Sequence, residues 1–158
     1  MKILLSECSQ RTYLLRLLRS QGLSPIGIKI VFQAIIVAKI MYALPAWGGF
    51  LSADLIGVIN SFFKRMVRYG FTDNTVVFDC LLTSTDLKIF SKMQQSNHCL
   101  YPLLPEQRPD LSLRPRGHSF LLPSNCSSLH KRSFVARCLF NFIIPPCLMS
   151  KVMFRRYL

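Results

Sequence analysis

The sequence is short of acidic residues, and this shortage restricts the functions to be expected. Its 158 residues contain 20 lysines and arginines but only 7 aspartates and glutamates, which gives a formal net charge of +13 at pH 7. This charge and this length argue against an acidic interaction tail and against a multidomain enzyme. We therefore expect a polyanionic partner, either nucleic acid or anionic lipid.

The few carboxylates are also scattered along the chain. Two-metal phosphoryl transfer needs carboxylates that hold two ions roughly 3.5–4 Å apart, whereas no two acids here are adjacent or form a D-x-D motif. Glu106 and Asp110 are four residues apart, but Pro105 and Pro109 disfavour the helix that would align them. The sequence therefore predicts no catalytic residues, no bound metal and no enzymatic activity.

Closely spaced cysteine pairs are missing as well. The six cysteines form no C-x-x-C motif, and Cys126 with His130 is the one pair whose spacing suits half of a zinc site. The first apolar run, Ile3 to Leu5, is too short for a secretory signal peptide. We expect reduced thiols, a location inside the cell that the sequence does not define further, and no cofactor.

Capping residues and a 3.6-residue apolar period predict a mainly α fold, with a small unit of three or four helices. The expected helices are Ser9 to Gln21, Pro25 to about Tyr42, Ser52 to Gly70, and a weaker one from Thr85 to about Gln95. The fourth would have Ser84 or Thr85 as its N-cap and Asp86 in its first turn, where a carboxylate suits the helix dipole.

The composition changes after Tyr101, where prolines and basic residues alternate. We expect no regular structure there before about Lys131, and either a short helix or a strand over residues 134–144. The predicted domains are a helical unit at 1–101, a poorly ordered basic, proline-containing extension at 102–144, and an unmatched tail at 145–158.

The apolar segment 26–51 supports an alternative, a small basic protein associated with a membrane. A spanning helix needs roughly 20 predominantly apolar residues, and Lys29, Lys39 and Pro45 interrupt this one. Lys39 near the bilayer centre would cost about 2.5–3.5 kcal/mol. We therefore favour a buried helix within a helical domain and keep the membrane as the alternative.

Several short motifs follow one another in a fixed order between residues 6 and 142. They are the run Cys8 to Ser24 with its Arg-Leu-Leu-Arg core, Tyr42-Ala43-Leu44-Pro45-Ala46-Trp47, the basic stretch Phe63-Lys64-Arg65, Leu103-Leu104-Pro105, and Arg114-Pro115-Arg116-Gly117-His118. In this order they resemble the region that follows the catalytic palm in reverse transcriptases of LINE-type (non-LTR) retrotransposons.

The resemblance implies the thumb and the region after it, which in that family is helical and grips the template–primer duplex by its backbone. The fingers and the palm, with its (F/Y)-A-D-D turn, have no counterpart in this sequence. The resemblance thus implies a catalytically incomplete remnant, at most a weak, sequence-indifferent nucleic-acid-binding fragment.

Six residues are candidate contacts to the RNA or DNA backbone, because they form the basic sides of the first and third predicted helices. They are Arg11, Arg16, Arg19, Lys64, Arg65 and Arg68. Apolar surfaces that would face the absent palm predict self-association.

Overall fold

The computed structural model describes residues 2–109, 117–124 and 126–143. Over these ranges the chain is mainly α-helical, as the sequence predicts, and it forms no strand longer than an isolated bridge between Gln107 and Phe120. It divides into two compact units, Met1–Thr85 and Asp86–Leu158. The motif residues at 114–116 and the predicted tail 145–158 lie outside the described ranges.

Helix α1 spans Lys2–Ser20 and begins well before the predicted start at Ser9. Its apolar stripe continues toward the N-terminus, since Leu4 and Leu5 pack against the same core that buries Cys8 and Leu15. The predicted end is confirmed, because Gly22 follows with a φ of 86°, a left-handed conformation that favours glycine.

The second predicted helix is present with an internal change of pitch. Helix α2 covers Pro25–Phe32, a π-helical turn covers Gln33–Val37, and α3 covers Ala38–Met41. Ser24 is the N-cap of α2, since the Gly27 N–H donates to Ser24 Oγ at 3.2 Å. Short helical turns follow at Leu44–Trp47, which is α4, and at Gly48–Phe50.

Helix α5 spans Ala53–Arg68 and matches the prediction for the third helix. Ser52 is its N-cap and accepts from the Leu55 N–H, and Gly70 ends it with a φ of 69°. Its buried residues are Ile59, Phe62, Phe63 and Met66, whereas Lys64, Arg65 and Arg68 are exposed. The 3.6-residue stripe in the sequence therefore identified the inner face correctly.

The predicted start of the fourth helix is wrong. Helix α6 spans Phe78–Met93, and its first turn is capped from a distance, because the Phe78 N–H donates to Asn60 Oδ1 at 2.9 Å. Ser84 and Thr85 lie inside the helix and donate to the Leu81 carbonyl. Asp86 consequently lies in mid-helix rather than in the first turn, and it is buried.

The second unit has its own apolar core, which includes part of the predicted proline-containing extension. Helix α7 spans Ser128–Arg132 and α8 spans Phe134–Asn141. Of the two structures expected from residue 134 onward, a helix or a strand, the chain therefore forms the helix. The buried residues of this core are Phe90, Phe120, Cys138, Leu139 and Phe142. Aromatic residues from α6 and from the extension thus pack together, which local sequence signals did not predict.

Candidate nucleic-acid interface

Helices α1 and α5 pack side by side in the first unit and leave an open groove between them. Thr12 of α1 is buried against α5, with its Oγ1 at 3.8 Å from Met66 Sδ. The groove has a volume of about 170 Å³. Its lining residues are Ser9, Thr12, Tyr13 and Arg16 on α1, with Phe62, Arg65, Met66 and Tyr69 opposite.

Two cations enter this groove, one from each wall. The Arg16 guanidinium carbon lies 4.6 Å from the centroid of the Tyr69 ring, and that of Arg65 lies 6.0 Å from the centroid of Phe62. Stacking on an aromatic face holds a guanidinium in place while leaving its N–H donors available. None of the eight lining residues is acidic, so both charges are uncompensated within the groove.

The positive surface continues from the groove onto the exposed side of α5. At about 100° per residue, Arg68 lies between Lys64 and Arg65 around the helix axis, and the three cations cover an arc of about 100°. All three side chains are exposed, and none forms an ion pair with another described residue. Arg16, Arg65, Arg68 and Lys64 therefore form one basic strip, hereafter the α1–α5 strip.

Arg11 and Arg19 contact the protein main chain instead of joining this strip. Arg11 Nη1 donates to the Ile35 carbonyl at 2.6 Å. Arg19 donates to the carbonyls of Tyr69 and Gly70 at 2.7 and 3.0 Å, and its guanidinium carbon lies 4.5 Å from the centroid of the Phe71 ring. These carbonyls belong to the two residues that follow α5, so Arg19 places a positive charge near the negative end of the helix dipole.

The fold thus separates the six predicted contact residues into two groups. Four lie on the α1–α5 strip, and their binding role stays a prediction. Arg11 and Arg19 have hydrogen-bonding roles within the unit, and their proposed contact with phosphate is equally untested. The spacing along α1 explains why Arg11 is separated from Arg16. The two are five residues apart and therefore lie on different sides of the helix.

Sequence reasoning missed the two tyrosines of the groove. Tyr13 precedes Arg16 by three residues, which places both on one side of α1, and Tyr69 directly follows the last basic residue of α5. An aromatic residue one helical turn from an arginine was the available signal. That signal is weak, because aromatic residues at helical spacing usually belong to a core.

Three of the six acidic residues in the described ranges are paired with cations. Glu7 Oε2 lies 3.1 Å from Lys39 Nζ, Asp73 pairs with Lys29, and Asp86 pairs with Arg137. No group of three or more His, Cys, Asp or Glu side chains that could hold a metal ion occurs in these ranges. His118 is buried, with Nε2 at 2.8 Å from the Leu139 carbonyl oxygen.

Two of the cysteine thiols are buried and correspondingly unreactive. Burial raises the pKa of the Cys8 and Cys138 thiols above the usual value, and nearby arginines offset only part of that rise. Both therefore stay protonated at neutral pH, which excludes them as ready nucleophiles or thiolate ligands.

The stretch Pro25–Phe50 has the length and apolar composition of a membrane-spanning helix, with a mean hydropathy of 1.8. Of its most apolar window, 28% is buried within the protein. The core helix of a soluble protein meets the same criteria of length and composition.

Searches against protein-family models, curated proteins and solved structures find no match to the chain.

Proposed function

We propose that the first unit binds nucleic acid through the phosphate backbone, without reading sequence. In this proposal the chain is a catalytically incomplete relative of the thumb region of LINE-type reverse transcriptases. The proposal rests on the α1–α5 strip, which presents four cations from two helices and has no acidic residue in its groove. Such a strip suits a polyanion whose charges repeat at short intervals.

The side chains of the strip favour contact with the phosphate backbone over recognition of the bases. Arginine and lysine bind phosphate oxygens, which carry no sequence information directly. The described ranges contain no zinc-finger ligand set. With three to five phosphate contacts, we expect dissociation constants of about 10⁻⁴–10⁻⁶ M at physiological salt.

The test is the salt dependence of binding to a 20-base-pair DNA duplex, measured by fluorescence anisotropy. Each phosphate neutralised on B-DNA contributes about −0.9 to the slope of log Kobs against log salt. The variant K64A/R65A/R68A should therefore lose up to about 2.7 from the magnitude of the slope. Its relative affinities for duplexes of different sequence should not change.

A charge-matched control separates a localised site from diffuse attraction. Lys88, Lys92 and Arg132 are exposed and belong to the second unit, so K88A/K92A/R132A removes the same charge and leaves the four residues of the strip unchanged. This control should keep the parental slope. Equal losses in both variants would refute the proposed strip, because binding would then follow net charge alone.

A second candidate function, association with a membrane surface, is favoured by the exposed apolar side of α2. Ile26 and Ile30 are 70% and 65% exposed within the stretch Pro25–Phe50. Against it, the opposite side of α2 belongs to the core through Ile28 and Phe32, and Lys29 is paired with Asp73. Cosedimentation with lipid vesicles tests this candidate, since binding that persists at high salt would support apolar contact through α2 and binding that salt abolishes would count against it.

A further inference from the structure

We propose that the α1–α5 groove holds an unpaired nucleotide, with its base stacked on Tyr13. This inference rests on the proposed function and names the class of nucleic acid that the groove suits. A single strand, or a single-stranded end beside a duplex, presents both a phosphate and a free base face. A continuous duplex presents its backbone but keeps its bases stacked inside.

Tyr13 is the residue that carries this inference. This residue is 68% exposed on the wall of the groove, and it makes no hydrogen bond or ring contact with another described residue. A tyrosine ring offers a large, stiff apolar face at a low cost in side-chain entropy. Tyr13 therefore differs from Trp47, which packs against Phe78 at a centroid distance of 6.1 Å.

The neighbouring residues supply cations that could bind the phosphate of a nucleotide stacked on that ring. Arg16 lies one turn beyond Tyr13 on the same side of α1, and its guanidinium is held over Tyr69. Tyr69 is itself occupied on two sides, by Arg16 and by an edge contact with Phe71 at 6.0 Å. Tyr13 is thus the aromatic side chain of the groove that is free to stack on a base, beside arginines that bind phosphate.

The groove has room for this occupant. Its volume of about 170 Å³ is several times what a water molecule needs, and it is open to solvent along one side. A base stacked on Tyr13 would direct its phosphate toward Arg16 and Arg65. The lining offers no acidic acceptor for a base amino group, so we expect stacking without selection among bases.

The experiment compares Tyr13→Leu with Tyr13→Phe, which keeps the ring and loses only the hydroxyl. The probes are 12-nucleotide single strands of DNA and of RNA that contain 2-aminopurine, with a 12-base-pair DNA duplex alongside. Removing one stacking contact should weaken single-strand binding about 5- to 150-fold in Y13L. Y13F should bind single strands as the parent does, and Y13L should lose more affinity for the single strands than for the duplex.

The fluorescence of 2-aminopurine gives an independent readout, because stacking quenches it. The parent and Y13F should quench both strands, while Y13L should not. If Y13L binds single strands as tightly as the parent while R16A/R65A does not, the stacking proposal is refuted and backbone binding stands. If the parent shows no salt-dependent binding to either form, the proposed function fails, and the inference fails with it.

Discussion

The buried ion pair between Asp86 and Arg137 gives the sharpest test of how the second unit is held together. The pair is bidentate, with Arg137 Nε and Nη2 at 2.7 and 2.9 Å from the two carboxylate oxygens. The side chains are only 10% exposed for Arg137 and 2% exposed for Asp86. Arg137 also donates to the Arg132 carbonyl at 2.6 Å.

Replacing Arg137 with methionine should strongly destabilise α8, because the carboxylate of Asp86 loses its counter-charge. Breaking a buried ion pair on one side typically costs about 3–5 kcal/mol. At about 1.36 kcal/mol per factor of ten, this is an increase of roughly 160- to 5,000-fold in the exchange rate of the α8 amides. Hydrogen exchange read by mass spectrometry on the full chain measures this directly.

The pH dependence of the variant has a defined sign. Burial raises the pKa of the Asp86 carboxyl, and Arg137 offsets part of that rise. In R137M the offset is gone, so the folded-state pKa lies further above the unfolded value of about 3.9. The stabilisation from the protonated carboxyl is then fully present below about pH 4 and is lost as pH rises through the folded pKa. Exchange in R137M should therefore slow as pH falls from 7 toward 4, after correction for intrinsic rates.

The double variant D86L/R137M is the matched control. Like R137M it lacks the hydrogen bond to the Arg132 carbonyl, but it has no buried carboxyl group. Replacing both partners of a buried pair by apolar residues is often neutral or stabilising. The double variant should be more stable than R137M at pH 7, and should lack the pH dependence. Equal exchange in the two variants at all pH values would refute the reasoning.

Four further outcomes are expected. Gly70→Ala should cost about 1 kcal/mol in a denaturant melt, since its φ of 69° is left-handed and the added Cβ meets only Arg19 Nη2 at 3.7 Å; an unchanged midpoint would contradict this. In thiol labelling of the folded chain, exposed Cys80 should react and buried Cys138 should not until the chain unfolds; early labelling of Cys138 would show that its burial is wrong. The exposed apolar residues of α1 and α2 predict self-association, so sedimentation should depend on protein concentration; a monomer at all concentrations would count against it. Primer extension with magnesium or manganese should be absent, and activity that survives a mock-purified control would overturn the incomplete-enzyme proposal.

The helices whose signals are local could be predicted from the sequence. Ser24 and Ser52 are caps, Gly22 and Gly70 are stops, and the stripe on α5 is buried, because each depends on residues within one or two turns. The start of α6 could not be predicted, since its cap is Asn60, 18 residues earlier in the chain. Ser84 and Thr85 are good cap residues that the tertiary structure uses inside a helix instead.

The candidate site was predictable only in part, for a similar reason. Exposure of Lys64, Arg65 and Arg68 follows from the helical period of α5 alone. The use of Arg11 and Arg19 for main-chain carbonyls depends on which helices neighbour α1, and their carbonyls lie 24 and 50 or more residues away in sequence. The groove itself arises from the packing of α1 on α5, which spacing along one helix does not reveal.

The most direct test of the central claim is the salt slope of duplex binding for R16A/R65A, the two cations on opposite walls of the groove. Each lost phosphate contact should remove about 0.9 from the magnitude of the slope, so the variant should lose up to about 1.8. The charge-matched control K88A/K92A should keep the parental value. A parental slope in R16A/R65A, with the fold intact by circular dichroism, would contradict the assignment of the groove as the nucleic-acid site.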